Sequence, residues 1–183
     1  MKTQYYFFII LTMLLSTCKQ ECKETTNPPR TVDGSDEKFF FTYKGNEAIK
    51  FLKNTTDTVI LYGQGIKTEY QYTSTQDDCP TKIPLENKYV IFINSTSSIG
   101  FLIQLYMTST FSTYCILKVN DKTVYNGHTA SIPASPVTLN VLNTNYDNVY
   151  YIGDASIGLY YQFTYKGIVK FKYYNDIYEL IPN

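Results

Sequence analysis

The chain has 183 residues, with 16 Lys plus Arg against 16 Asp plus Glu, 44% hydrophobic residues and 17% charged ones. That length closes one hydrophobic core without a second domain, and the balance excludes a disordered chain and a basic surface for nucleic acid. Its 19 Tyr and 11 Phe, with no Trp, favour strands, because such side chains pack well on a pleated, half-buried surface.

Lys2 precedes an apolar run over residues 5–15, which is too short to cross a hydrocarbon core of about 30 Å as a helix and has the size of a signal-peptide h-region. Residues 1–17 therefore read as a signal peptide. The run ends in Leu15-Ser16-Thr17-Cys18, which resembles the lipobox of bacterial lipoproteins. That resemblance implies cleavage before Cys18 and makes Cys18 the lipidated first residue of the mature chain. An ordinary secretory signal cut nearby would leave the same body soluble.

Residues 18–37 are rich in Lys, Glu, Thr, Asn and Pro, with Val32 almost the only apolar side chain. A segment of this kind cannot bury enough surface to offset its ordering entropy, so it reads as a lipidated flexible tether. The body, residues 38–183, is expected to be all-β, a single antiparallel β-sandwich or meander barrel, because short apolar runs alternate with turn residues at spacings near ten.

The first run covers residues 38–44. Residues 48–53 then put Ile49 and Phe51 on one face, and residues 54–57 turn the chain into residues 58–62. Gly63-Gln64-Gly65 breaks the pattern before residues 66–73, where Tyr70 and Tyr72 alternate with Glu69 and Gln71, so a hairpin is expected at the glycines. Residues 88–94 and 99–108 are the most hydrophobic, and Val90, Phe92, Phe101, Ile103 and Leu105 mark central strands. Asn120-Asp121 turns residues 114–119 back into 122–125. Residues 126–136, with Pro133 and Pro136, read as a loop. Strands follow at 137–142, 149–152, 159–165, 168–174 and 177–180, with turns at Gly153, Gly167 and Asn175-Asp176.

Asp78-Cys79-Pro80, Asn148-Val149-Tyr150-Tyr151, Leu159-Tyr160-Tyr161 and Gly167-Ile168-Val169-Lys170-Phe171 resemble small uncharacterised lipoproteins of Bacteroidota bacteria. The resemblance implies an outer-membrane address, periplasmic or surface-facing, and no activity. Only Cys18 takes a role from it.

In an oxidising compartment paired thiols become disulfides. Cys79, before Pro80, and Cys115, at the start of a strand, form the expected bridge, with Cys22 left as the odd thiol. Two alternatives remain open: Cys115 as a small buried apolar residue, and a Cys18–Cys22 bridge if Cys18 escapes acylation.

The catalytic vocabulary is sparse. His128 is the single histidine, and Ser131 follows it without a nucleophile-elbow pattern. No cysteine pair has zinc spacing, and the Asp77-Asp78 doublet is explained by turn formation as well as by calcium. Glu47, Glu69, Glu86 and Glu179 supply carboxylates without a recognisable pair. No catalytic residue, metal or cofactor is expected. Tyr pairs at 70/72, 150/151, 160/161 and 173/174 place rings on both sheet faces, and a wet face of that kind suits glycans, peptides or proteins. The reading is a membrane-anchored, non-enzymatic binding module. A lipocalin-like carrier of a small apolar ligand is the alternative, and a cell-envelope hydrolase stands behind it.

Overall fold

The structure is a computed structural model that describes residues 24–75, 79–96, 98–132 and 135–182. Its elements are β1 (Thr25–Thr26), α1 (Gly34–Phe40), β2 (Ala48–Lys53), β3 (Asp57–Ser74), β4 (Thr81–Asn94), β5 (Ile99–Met107) and β6 (Thr113–Val119). They continue with β7 (Lys122–His128), β8 (Val137–Val141), β9 (Thr144–Gly153), β10 (Ile157–Gln162), β11 (Gly167–Tyr173) and β12 (Asp176–Leu180).

Alternation sets the faces. β5 buries Phe101, Ile103 and Leu105 and turns Leu102, Gln104 and Tyr106 outward, while β6 buries Cys115, Leu117 and Val119. Val90 and Phe92 of β4 and Phe51 of β2 join the same core, as their alternation foretells. Asn54 and Thr55 take positive φ between β2 and β3, and Leu142 and Asn143 do so between β8 and β9, which gives both hairpins their tight reversal.

One sheet results, with strand order β7-β6-β5-β4-β3-β2-β12-β11-β10-β9-β8. Two antiparallel meanders meet where β12 pairs β2 through Tyr178↔Lys53, Glu179↔Leu52 and Leu180↔Phe51. The sheet curls into a half-barrel, so that β7 at one end comes close to β9 and β10 without a ladder between them. A smaller apolar cluster of Val141, Tyr146, Val149 and Val169 lies under the β8–β9 hairpin.

The concave face is filled from the N-terminal side. Asp33 caps α1 by accepting the Ser35 N–H at 2.7 Å, and the helix delivers a fully buried Phe40 to the core. Phe39 stacks on Phe163 at 4.3 Å, and Phe40 meets the same ring edge-on at 5.0 Å. The Tyr161 hydroxyl donates to the Phe40 carbonyl at 2.5 Å, and the Tyr43 hydroxyl accepts the Ile168 N–H at 2.6 Å.

Three expectations are corrected. First, the expected tether over 18–37 belongs to the fold from Glu24 onward. β1 pairs with β4 in parallel, the Asn27 and Arg30 amides donate to the Lys82 and Pro84 carbonyls, and Val32 is buried. The backbone, rather than apolar side chains, makes these contacts. Second, residues 38–40 end a helix instead of opening a strand. Third, Gly63-Gln64-Gly65 is a bulge inside one long strand, not a turn. Gly63 lies so close to the loop that a β-carbon there would sit 2.1 Å from the Gly45 carbonyl oxygen.

Candidate functional site

Past the Gly63–Ile66 bulge, β3 leaves β2 and continues with β4 as an arm. β2 pairs β3 only from Asp57 to Tyr62, whereas the β3–β4 ladder runs on to Ser74↔Lys82. On the other side of β4, β5 reaches Asn87, and β1 with Arg30 takes over its place from there. Among the described residues, β3 therefore has a free backbone edge over residues 66–74.

Register decides which side chains this edge presents. Ile66 faces Val90, Tyr70 faces Glu86 and Tyr72 faces Pro84, so all three share the face on which Val90 enters the core. They lie beyond the core and stay open, at 41%, 44% and 65% exposure. On the opposite face Lys67, Glu69 and Gln71 alternate with them, and the Tyr89 hydroxyl donates to Glu69 at 2.7 Å. That bond, more than burial, raises the Tyr89 pKa.

A polar clamp holds the base of the arm. The buried Glu86 carboxylate accepts the Val32 N–H at 2.8 Å, and Lys88 bridges to Glu37 of α1 at 2.6 Å and to Glu86 at 3.6 Å. The bond to Glu37 is the main cause of the raised Lys88 pKa. Gln104 donates to the buried Asn87 at 2.9 Å, and Thr129 donates to Asp36 at 3.0 Å. Sequence reasoning named Tyr70, Tyr72 and Glu86 but missed Ile66 and the clamp. Charges spaced along the chain at 37, 86 and 88 carry no signal that a helix will bring them together.

The other residues singled out from sequence are spread apart. His128 ends β7, where its ring lies against Tyr114 at 5.5 Å, its Nδ1 accepts the Ala130 N–H at 3.1 Å and its carbonyl accepts Ser131 N–H. Glu47 accepts the Lys44 N–H, and Glu179 pairs with Lys170 at 2.8 Å. No three His, Cys, Asp or Glu side chains among the described residues gather as a metal site. Asp77 and Asp78 lie outside those residues, as do Cys18, Cys22 and the signal peptide.

The Cys79–Cys115 bridge is not formed. Cys115 is a free thiol with no exposure, pointing inward between Thr113 and Leu117, and burial pushes its pKa far up. It acts as the small apolar residue of the alternative reading. Cys79 is itself disulfide-bonded.

Concavities among the described residues include the following two, besides one of 460 Å³ beside Phe39, Ile132 and Tyr150. An open groove of 770 Å³ on the outer face is lined by Ile91, Ile93, Leu102, Lys118 and Tyr173. A smaller one of 300 Å³ includes Thr42 and Glu47, whose Oγ1 and Oε2 are buried without a hydrogen-bond partner. The paired tyrosines divide between faces as expected: Tyr161 is buried against Phe163 at 4.6 Å, while Tyr151 lies on Tyr160 at 4.9 Å. Comparison of this chain with family models, curated proteins and solved structures finds no match.

Proposed function

We propose that this protein is an exported lipoprotein, fixed to the outer membrane through Cys18, whose domain is a non-enzymatic module that binds an extended peptide along the open edge of β3. One observation carries the reading: among the described residues, 66–74 offer an unpaired strand edge and expose Ile66, Tyr70 and Tyr72 on a single face. An added strand would gain main-chain hydrogen bonds from the edge, and its alternate side chains would meet the two tyrosine rings. Tyrosine suits this role because a large apolar ring with a hydroxyl binds at low entropic cost.

The non-enzymatic reading is supported by the spent state of the carboxylates: Glu69, Glu86 and Glu179 each hold a structural partner and do not converge on His128. A lipocalin-like carrier would need interior volume, and Phe40, Tyr43 and Tyr161 occupy that interior. We read the architecture as a meander barrel left partly open and plugged by α1, rather than a sandwich, because a single continuous ladder links both meanders.

Selecting a random peptide library on the purified protein and measuring the affinity of the selected peptides tests this reading. Tyr70→Ala and Tyr72→Ala should each weaken binding about tenfold, the scale of roughly 1.4 kcal/mol for an interface aromatic. N-methylation of alternate peptide amides should abolish it. Tyr165→Ala, at an exposed turn elsewhere, should leave it unchanged. No selected binders, or binders indifferent to Tyr70 and Tyr72, would overturn the proposal.

A further inference from the structure

Glu47 lies in the loop between α1 and β2, which the backbone fixes twice. The Gly45 carbonyl accepts the Gly65 N–H at 2.7 Å and the Glu47 carbonyl accepts the Gly63 N–H at 3.0 Å, so the loop is docked on the bulge of β3. Gly45 takes a φ of +91°, and a β-carbon there would meet the Ile66 nitrogen at 2.7 Å. Within the loop the Lys44 N–H donates to Glu47 Oε1 at 2.8 Å, which sets the direction of the carboxylate. The other oxygen, Oε2, is buried beside the 300 Å³ concavity and has no hydrogen-bond partner.

A buried carboxylate oxygen without a donor is costly, and a cationic donor serves it best because it also neutralises the charge. The chain brings two ammonium groups to the concavity without spending either on Glu47. Lys50 of β2 and Lys166 of the β10–β11 turn both line it, both are exposed, and among the described residues neither forms an ion pair. Two rings add apolar surface: Tyr146, buried at 5%, and Tyr165, open at 74%. The volume stands at the lower end for small-molecule sites, so the ligand is compact.

Charge decides what kind of molecule this is. An ammonium satisfies Glu47, but a ligand with cations alone is repelled by the two lysines. A carboxylate satisfies the lysines, but alone it leaves Oε2 unpaired. A small molecule carrying both charges a few atoms apart meets both demands. The geometry points to a binding site for a free α-amino acid, with its ammonium on Glu47 Oε2, its carboxylate toward Lys50 and Lys166, and its side chain against Tyr146 and Tyr165. This site uses none of the residues of the peptide-binding edge over 66–74 and does not depend on the lipid anchor.

Thermal denaturation and titration calorimetry of the purified protein test it, with each common α-amino acid as ligand and 1,4-diaminobutane and propionate as cation-only and anion-only probes. At least one amino acid should bind with a Kd below about 1 mM. Its N-acetyl derivative, which lacks the ammonium, should bind at least about tenfold more weakly. Glu47→Gln keeps the acceptor for the Lys44 N–H and removes the charge, so it should weaken binding at least about tenfold without lowering the melting temperature of the unliganded protein. Replacing both exposed lysines, Lys50→Gln with Lys166→Gln, should weaken binding about tenfold as well. Tyr70→Ala, on the peptide edge, should leave it unchanged. No amino-acid binding, equal binding of diaminobutane or propionate, or an affinity indifferent to Glu47→Gln, to the lysine pair or to N-acetylation would overturn the assignment. A lower unliganded melting temperature in Glu47→Gln would overturn it too, because a cation of the chain itself would then already neutralise Glu47.

Discussion

Tyr43 sits in the core with its hydroxyl on the Ile168 N–H, tying the segment after α1 to the start of β11. Tyr43→Phe leaves that buried N–H unsatisfied, and urea unfolding should show a loss of about 1–3 kcal/mol. Burial also raises the Tyr43 pKa far above its ordinary value, so its phenolate is disfavoured in the folded state. A raised pKa gives stability that is complete below the unfolded value of about 10 and is lost as pH rises beyond it. Wild type should therefore lose stability more steeply than Tyr43→Phe above about pH 10. The core residues Val90, Phe92, Phe101, Ile103 and Leu105 were legible because they lie in the two most hydrophobic runs of the chain. Cys115 was misassigned because the compartment argument is blind to direction, although its position two residues before Leu117 already placed it on the inward face.

Among the elements, α1 was the least legible. Seven residues are too few to show a helical period, and Phe39-Phe40-Phe41 has strand propensity. What makes it helical is the Asp33 cap and the burial of Phe40 between the meanders. Phe40→Ala should cost about 3–5 kcal/mol, the range for truncating a buried aromatic ring, measured by denaturant unfolding. An effect under about 1 kcal/mol would show that the helix does not plug the sheet. The strap before it was unreadable for a different reason: a parallel strand held by main-chain bonds leaves no hydrophobic pattern. Hydrogen exchange should find the Asn27, Arg30 and Val32 amides protected like those of β4. Exchange at the rate of an open chain would restore the flexible tether. The β6–β7 turn, by contrast, was legible, because Asn120 adopts the positive φ that it demands, although β7 runs on through Asn126, Gly127 and His128, which were expected in a loop.

At the scale of the molecule, the all-β character was evident in composition and spacing, whereas closure was not. Side-chain alternation fixes which face a strand buries and leaves open which strands pair at long range, such as β2 with β12. The bulge at Gly63–Ile66 is equally hidden, yet it is what lets β3 leave β2 and become the open-edged arm. The proposed binding edge thus depends on a feature that sequence reasoning took for a turn. Cys18 stands six positions before Glu24, where the described strap begins, so the proposed lipid would hold the domain at the membrane. The central claim is that Cys18 carries the lipid that keeps it there. Mass analysis of the N-terminal peptide from membrane-fractionated protein, beside Cys18→Ala, tests it most directly. The account predicts a chain beginning at acylated Cys18 in the membrane fraction and a soluble variant without the acyl mass. An unacylated wild type, or a Cys18→Ala protein that stays in the membrane fraction, would contradict it.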